Sequence, residues 1–282
     1  MQFKTTIATA LAATGVLAEG PVRCGAPEPS PRHIAAAKML AAEEAAAASK
    51  FGIFQAPEVI NITLHWHTVA FNETKEGSYT NASVIDQQVD ILNRIYPKYG
   101  FAFNLASKDW TVNESWAGLE EFDQAIEMKR ALRKGSYADL NLYTLALPEG
   151  LLGISAPPEA NVTKDSQSFT WDGVIIAANS MPGGPLKNYN LGYTAVHEIG
   201  HWLGLFHTFQ GGCDGDGDLI DDTPAEASPA SGCPVGRDTC PSPGEDPIHN
   251  YMDYSYDSCF TEFTAGQATR MKSSWNKFRV GN

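Results

Sequence analysis

Between residues 197 and 207 the chain reads HEIGHWLGLFH, and no other stretch restricts its local fold as tightly. His197 and His201 are four apart, so on an α-helix both imidazoles leave one face about a turn apart and can share one metal ion. Glu198 follows the first histidine and points roughly 100° round the helix axis, beside such an ion rather than onto it. On an unbroken helix His207 would lie roughly 240° from His201 and could not join them. Gly204 supplies the break: glycine takes positive φ at little cost, ends the helix and lets the chain turn back beneath the ion. Two histidines at this spacing would be a weak signal, whereas three histidines, a glutamate and a glycine in this order are specific for a metal site. The plainer reading is a core helix of Ile199, Leu203, Leu205 and Phe206 with hydrogen-bonded histidines, and it leaves Glu198 and Gly204 without a task.

The 282 residues carry 20 Lys+Arg against 33 Asp+Glu, a formal net charge of -13 that repels nucleic-acid phosphates and anionic lipid surfaces. Nucleic acid is therefore not an expected partner. MQFKTTIATALAATGVLA has a basic residue, a short apolar stretch, and Val16 and Ala18 at cleavage spacing, which predicts a signal peptide over residues 1–18 and a secreted, extracellular product. No later apolar run is long enough to span a bilayer, so no membrane partner is expected either. Sequons at Asn61, Asn72, Asn81, Asn113 and Asn161 fit the same route and predict a glycoprotein. In an oxidising compartment Cys213, Cys233, Cys240 and Cys259 predict two disulfides with three possible pairings, which leaves Cys24 over.

Residues 19–50 read as a prosegment. Proline-rich PVRCGAPEPSPR is followed by alanine-rich HIAAAKMLAAEEAAAASK, helical by propensity but without a large apolar face, as suits a removable cover. A solvated extension without function is the alternative. Residues 51–282 have the pattern of one α/β domain. Strands are expected in EVINITLHWHTVA, FAFNLASKDWTV, ADLNLYTLAL and WDGVIIAAN, and helices in SVIDQQVDILNRIYPKYG, capped by Ser83, and EEFDQAIEMKRALRKG, stopped by Gly135. The first strand puts His65 and His67 on a polar side expected to be solvated. Beyond Gly211 the chain is too rich in Gly, Asp, Pro and Cys to build a core, and disulfides must hold it. A last helix is expected from Thr264 to about Phe278, with Thr264 and Gln267 at capping-box spacing.

The motif H-E-x-x-H-x-x-G-x-x-H is present without departure, and NYMDYSYD follows it; both resemble the metzincins, in which a methionine turn lies beneath the imidazoles. That resemblance implies Met252 for the turn and Tyr254 for a group that reaches toward the metal and stabilises an anionic intermediate. HEIGHWLGLFHTFQGGC, DDTPAE, GCPVGRDTC and NYMDYS together are similar to the pappalysin branch, in particular to secreted fungal-type extracellular metalloproteases. The resemblance runs from about Phe51 to the end. It implies an α/β (α+β) catalytic domain with an upper mixed five-stranded sheet and helices, an antiparallel edge strand, an active-site helix, and a lower, loop-rich, disulfide-stapled subdomain with a terminal helix. It implies the pairs Cys213–Cys240 and Cys233–Cys259. It further implies a cysteine switch that keeps a zymogen latent, for which Cys24 in VRCGAP is the free candidate, since a thiolate is a better zinc ligand than water. Similar proteins bind calcium near CDGDGDLIDDTP, where Asp214, Asp216, Asp218, Asp221 and Asp222 offer oxygens, although the spacing is not that of an EF-hand and a solvated acidic turn competes.

Residues and resemblance together imply a monomeric, zinc-dependent endopeptidase that hydrolyses internal bonds of protein and peptide substrates. His197, His201 and His207 are the expected ligands of one catalytic zinc with a water in the open position, Glu198 the general base, and Tyr254 the oxyanion partner. Substrate is expected to lie extended along the sheet's edge strand. One alternative is a catalytically inactive, zinc-stabilised binding or inhibitory protein, which gives Glu198 nothing to do; another is a zinc hydrolase of small amides or sugars, which the match across four stretches disfavours. His249 is expected to be structural, and His33 falls in the prosegment.

Overall fold

The computed structural model describes residues 22–48, 59–119, 121–148 and 150–280. The expected signal peptide and the boundary between residues 50 and 51 lie outside the described residues. Six strands form one sheet, in the order β1-β5-β6-β4-β2-β3: β1 (Val22–Cys24), β2 (Ile60–Ala70), β3 (Phe101–Val112), β4 (Leu140–Leu145), β5 (Leu151–Ile154) and β6 (Val174–Ala177). Neighbours run parallel except β5 and β6, which are antiparallel. The expected mixed five-stranded sheet is therefore present as β5-β6-β4-β2-β3. The sixth strand, β1, comes from the expected prosegment and adds itself to the β5 edge.

Strand alternation sets the two faces. Ile62, Leu64 and Trp66 of β2 and Leu140 and Leu142 of β4 join one buried cluster with helices α2 (Ala82–Ile95) and α6 (Tyr193–Trp202). On the other face Val69, Tyr143, Leu145 and Ile175 pack with Ala117 of α3 (Glu114–Ala117) and with Ala125 and Met128 of α4 (Phe122–Leu132). Covered on both sides, β4 and β6 are buried along their whole length; β6 is accordingly apolar throughout, whereas β4 also buries Asn141 and Thr144. Helix α2 turns Ile85, Val89, Leu92 and Ile95 to the core, each burial worth about 1.5–3 kcal/mol. It starts at Asn81 rather than Ser83: the Asn81 side chain accepts from the Val84 amide and also from the Ser83 hydroxyl, so the earlier residue wins the cap.

His67 corrects the expectation of a solvated polar side. It is fully buried, with Nδ1 at 2.9 Å from an Asp109 oxygen, Nε2 at 2.9 Å from Asn141 Oδ1, and its ring stacked on Tyr143. His65 is half-buried against the Ser107 hydroxyl. The neighbouring strands supply polar partners, so a polar side chain there needs no water.

Below α6, residues 205–262 carry little regular structure and hold the disulfides Cys213–Cys240 and Cys233–Cys259, the pairing the resemblance implies. His249 Nδ1 bonds the Cys259 carbonyl at 2.6 Å. The terminal helix α7 (Ala265–Ser274) is capped by Thr264 in a capping box with Gln267, and α1 (Pro31–Ala48) packs against it. Between α4 and β6 lies the short α5 (Gln167–Trp171).

Candidate metal centre

Helix α6 is buried from Thr194 to Trp202 and stops there. Gly204 has φ 99° and the Leu205 amide returns to the Gly200 carbonyl at 3.0 Å, which closes the helix with a left-handed residue. A Cβ at residue 204 would also strike Ser274 of α7, so conformation and space both demand glycine. The chain then brings His207 back under the helix, with its Nε2 3.0 Å from that of His201. The donor atoms of Cys24, His197, His201 and His207 all lie within 4.8 Å of one another, and all four residues are buried.

Backbone carbonyls fix the rings. His197 Nδ1 donates to the Tyr251 carbonyl at 2.6 Å and His201 Nδ1 to the Leu205 carbonyl at 2.8 Å, which leaves each Nε2 with its lone pair aimed inward. Burial holds the rings neutral: His201 is pushed down to about 4, and His197 and His207 lie well below the usual histidine range. His197 Nε2 is buried without a hydrogen-bond partner. Neutral imidazole nitrogens that converge, one of them orphaned, fit a divalent cation of the zinc type.

Glu198 is fully buried next to this point. Its Oε2 accepts from Cys24 Sγ at 3.4 Å, its Oε1 has no partner, and burial pushes the carboxyl up to about 8. Strand β5 passes directly over it, because a Cβ on Gly153 would sit 2.5 Å from Glu198 Cγ. Burial and the Glu198 charge push the Cys24 thiol well above the usual range. Met252 is wholly buried, and its turn is tied to α7 by reciprocal amide bonds between Asn250 and Gln267 at 2.8 and 3.0 Å. The Tyr254 hydroxyl donates to the Cys24 carbonyl at 3.0 Å and lies 3.2 Å from His207 Nε2. Its burial keeps the phenol neutral.

The acidic stretch does not gather as a cluster. Asp216 pairs with Lys38, Asp222 accepts from the Thr264 hydroxyl and the Gly266 amide at the α7 cap, and Asp214 and Asp221 are exposed. Only Asp218 is buried; its Oδ1 accepts from the Ile220 amide and the Thr223 hydroxyl lies beside its carboxyl.

Two features near the centre had no signal in the sequence. Arg23, beside Cys24, is fully buried and pairs with Asp257 at 2.8 Å; its guanidinium also donates to the Ser255 carbonyl and lies 4.4 Å from the Phe260 ring centroid. Glu226, fully buried, accepts from the hydroxyl of Thr208, next to His207, and pairs with Arg237.

Among solved structures, mature mirolysin of Tannerella forsythia in complex with a cleaved peptide matches with a TM-score of 0.61 and 26% identity over 76% of this chain and 91% of its own. Promirolysin matches in fold with a TM-score of 0.65 and 24% identity, over 86% and 89%. This fold, with its histidines gathered over a methionine turn, defines a metalloendopeptidase of the metzincin type. The family profile described as Pregnancy-associated plasma protein-A, of peptidase group M43, matches residues 152–276. Extracellular metalloproteases of Neurospora crassa (48% identical, 99% of both chains) and Coccidioides posadasii (47%, 92% of this chain and 90% of that one) match along their length. The chain belongs to this M43 pappalysin family. Among the described residues no helix is long and apolar enough to cross a membrane.

Proposed function

We propose that the protein is a secreted zinc endopeptidase whose residues 19–50 hold it latent until they are removed. The observation that carries this reading is the convergence of three neutral imidazoles beside the buried Glu198 carboxylate. His197, His201 and His207 would hold the zinc, which when bound supplies Lewis acidity to the scissile carbonyl and to the attacking water. Glu198 takes the proton from that water and passes it to the leaving amine. A nearby cation favours the ionised carboxylate and draws Glu198 down from about 8 toward working pH. The Tyr254 hydroxyl, held neutral and adjacent to His207, donates to the oxyanion. Substrate adds as a strand to β5, the edge β1 now occupies. The cleaved peptide held by mature mirolysin supports a peptide substrate.

The same geometry supports the latent state. Cys24 places its sulfur among the three histidines and against Glu198, where the attacking water would stand. Arg23 beside it fills a pocket with a buried carboxylate at its end and an aromatic wall. Once Arg23 leaves, Asp257 is a buried anion without its cation, so the mature enzyme favours an arginine or lysine directly flanking the scissile bond. The buried Asp218 carboxyl, with the Thr223 hydroxyl beside it, is the place we assign to a structural calcium ion. Asn161, exposed in a left-handed turn, is assigned as a glycan site, since the Asn72 and Asn81 side chains, exposed too, are engaged in local hydrogen bonds; a mobility shift on deglycosylation that persists in Asn161→Gln would rule it out as the sole site.

The test is hydrolysis of casein by processed wild type and Glu198→Gln, each with its zinc content measured. Loss of turnover by about 10²-fold or more at unchanged zinc is expected, since removal of a general base costs on that order. Equal turnover would remove Glu198 from the mechanism, and zinc without turnover in either protein would favour the inactive binding protein.

A further inference from the structure

Helix α1 anchors the covering segment at a second place, on α7 and against Pro157 and Pro158. Ala37 and Leu40 are buried in a seat formed by Pro157, Pro158, Phe206, Ser274 and Phe278, where a cavity of only about 20 Å³ is left. Glu44 takes the guanidinium of Arg270 in a two-toothed pair, Nε to Oε1 at 3.0 Å and the terminal nitrogen to Oε2 at 3.0 Å, and Arg270 is 2% exposed. Glu43 pairs with Lys277 at 2.9 Å and Lys38 with Asp216 at 2.7 Å. The helix is alanine-rich, so it holds much of its shape on its own and loses little entropy on docking. The charges match pairwise around the apolar floor: Arg270 and Lys277 of the body meet Glu44 and Glu43, and Asp216 meets Lys38.

We infer that this seat is a docking surface for α1 that outlasts cleavage of the chain. Cutting between residues 48 and 59 leaves the excised prosegment bound through α1, and residues 25–30 tether Cys24 close to the histidines. The tether gives the strand a high local concentration, so with Cys24 intact the cut chain stays latent until α1 leaves its seat. This inference rests on the latency reading above and adds to it a second anchor, independent of the metal.

The test uses the full chain with a recognition sequence for a site-specific protease placed within residues 49–58. After cutting, gel filtration is expected to keep the wild-type prosegment on the catalytic domain and hold casein hydrolysis down. The Glu43→Gln, Glu44→Gln form should lose the prosegment and gain activity by about tenfold or more. In parallel, a synthetic peptide of residues 31–48, which lacks Cys24, is titrated onto enzyme freed of its prosegment. It should bind at least tenfold tighter than the same peptide with both glutamines, without slowing cleavage of a short peptide. A wild-type prosegment that leaves on cutting, a doubly substituted one that stays, or two peptides of equal affinity would each overturn the inference. These are binding readouts, so they decide it even if no protein is hydrolysed, the outcome that would fall on the protease reading alone.

Discussion

The Arg23 pocket gives the sharpest prediction about specificity. In Asp257→Asn the retained amide oxygen can still accept from the Leu191 amide, which Asp257 Oδ2 does at 2.9 Å, so the pocket keeps its shape while losing its charge. The Arg23 and Asp257 side chains are 1% and 0% exposed, so a guanidinium in that place is almost wholly desolvated. Removing one partner of a buried pair costs about 3–5 kcal/mol, and the lower end applies here because the Ser255 carbonyl and the Phe260 ring still receive the cation. About 3 kcal/mol is roughly a 10²-fold change in kcat/KM. The assay compares two peptides that differ only in arginine or its neutral isostere citrulline at the flanking position. Processed wild type should prefer arginine by roughly 10²-fold, and Asp257→Asn should bring the ratio near one while citrulline peptide is cleaved as before. An unchanged ratio would refute the pocket, and an equal loss on both peptides would mean that the substitution had damaged the site instead.

Cys24→Ser in the full chain replaces a strong zinc ligand with a weak one and should raise the activity of the unprocessed protein by about tenfold or more; unchanged latency means that the thiol is not the lock. Glu226 is raised to about 8 by burial and by the nearby Asp253 charge, so the native state binds its proton more tightly than the unfolded chain does. Its stabilising contribution is full below about pH 4.3, the ordinary glutamate value, and is lost as pH rises through 8, so wild-type Tm should fall between pH 5 and 9 more steeply than that of Glu226→Gln. Parallel Tm curves would dismiss this proton. Millimolar calcium should raise the Tm of the zinc-loaded protein and leave that of Asp218→Asn unmoved; no rise in wild type removes the calcium site.

What the sequence discloses about the centre is local. His197, Glu198 and His201 are placed by helix geometry, and Gly204 needs only a positive φ to turn the chain, so those relations are written in adjacent residues. The capping box of Thr264 and Gln267 is local in the same way, whereas its bond to Asn250 below the histidines is not. Strands β5 and β1, four and three residues long, carry too little periodicity to be read, and exist because an edge is there to pair with. The disulfide pairing comes from resemblance alone, since cysteine count leaves three choices. Alternation misplaces His67 because it tells which residues share a side, not whether neighbouring strands have polar groups to receive them. Arg23 and Asp257 are 234 residues apart, and nothing in either neighbourhood announces the pair.

Under the proposed function, that long-range pair would tie recognition to latency. The covering strand lies on the β5 edge, with Cys24 opposite Gly153, the residue whose missing side chain lets β5 reach Glu198. Register on that edge therefore fixes the sulfur over the carboxylate and, one residue back, the guanidinium over Asp257. On the proposed latency, a change that weakens arginine binding in the processed cleft should also loosen the cover in the full chain, because both would use the same carboxylate. Selection for a different flanking residue would have to alter position 23 together with position 257, or give up tight latency.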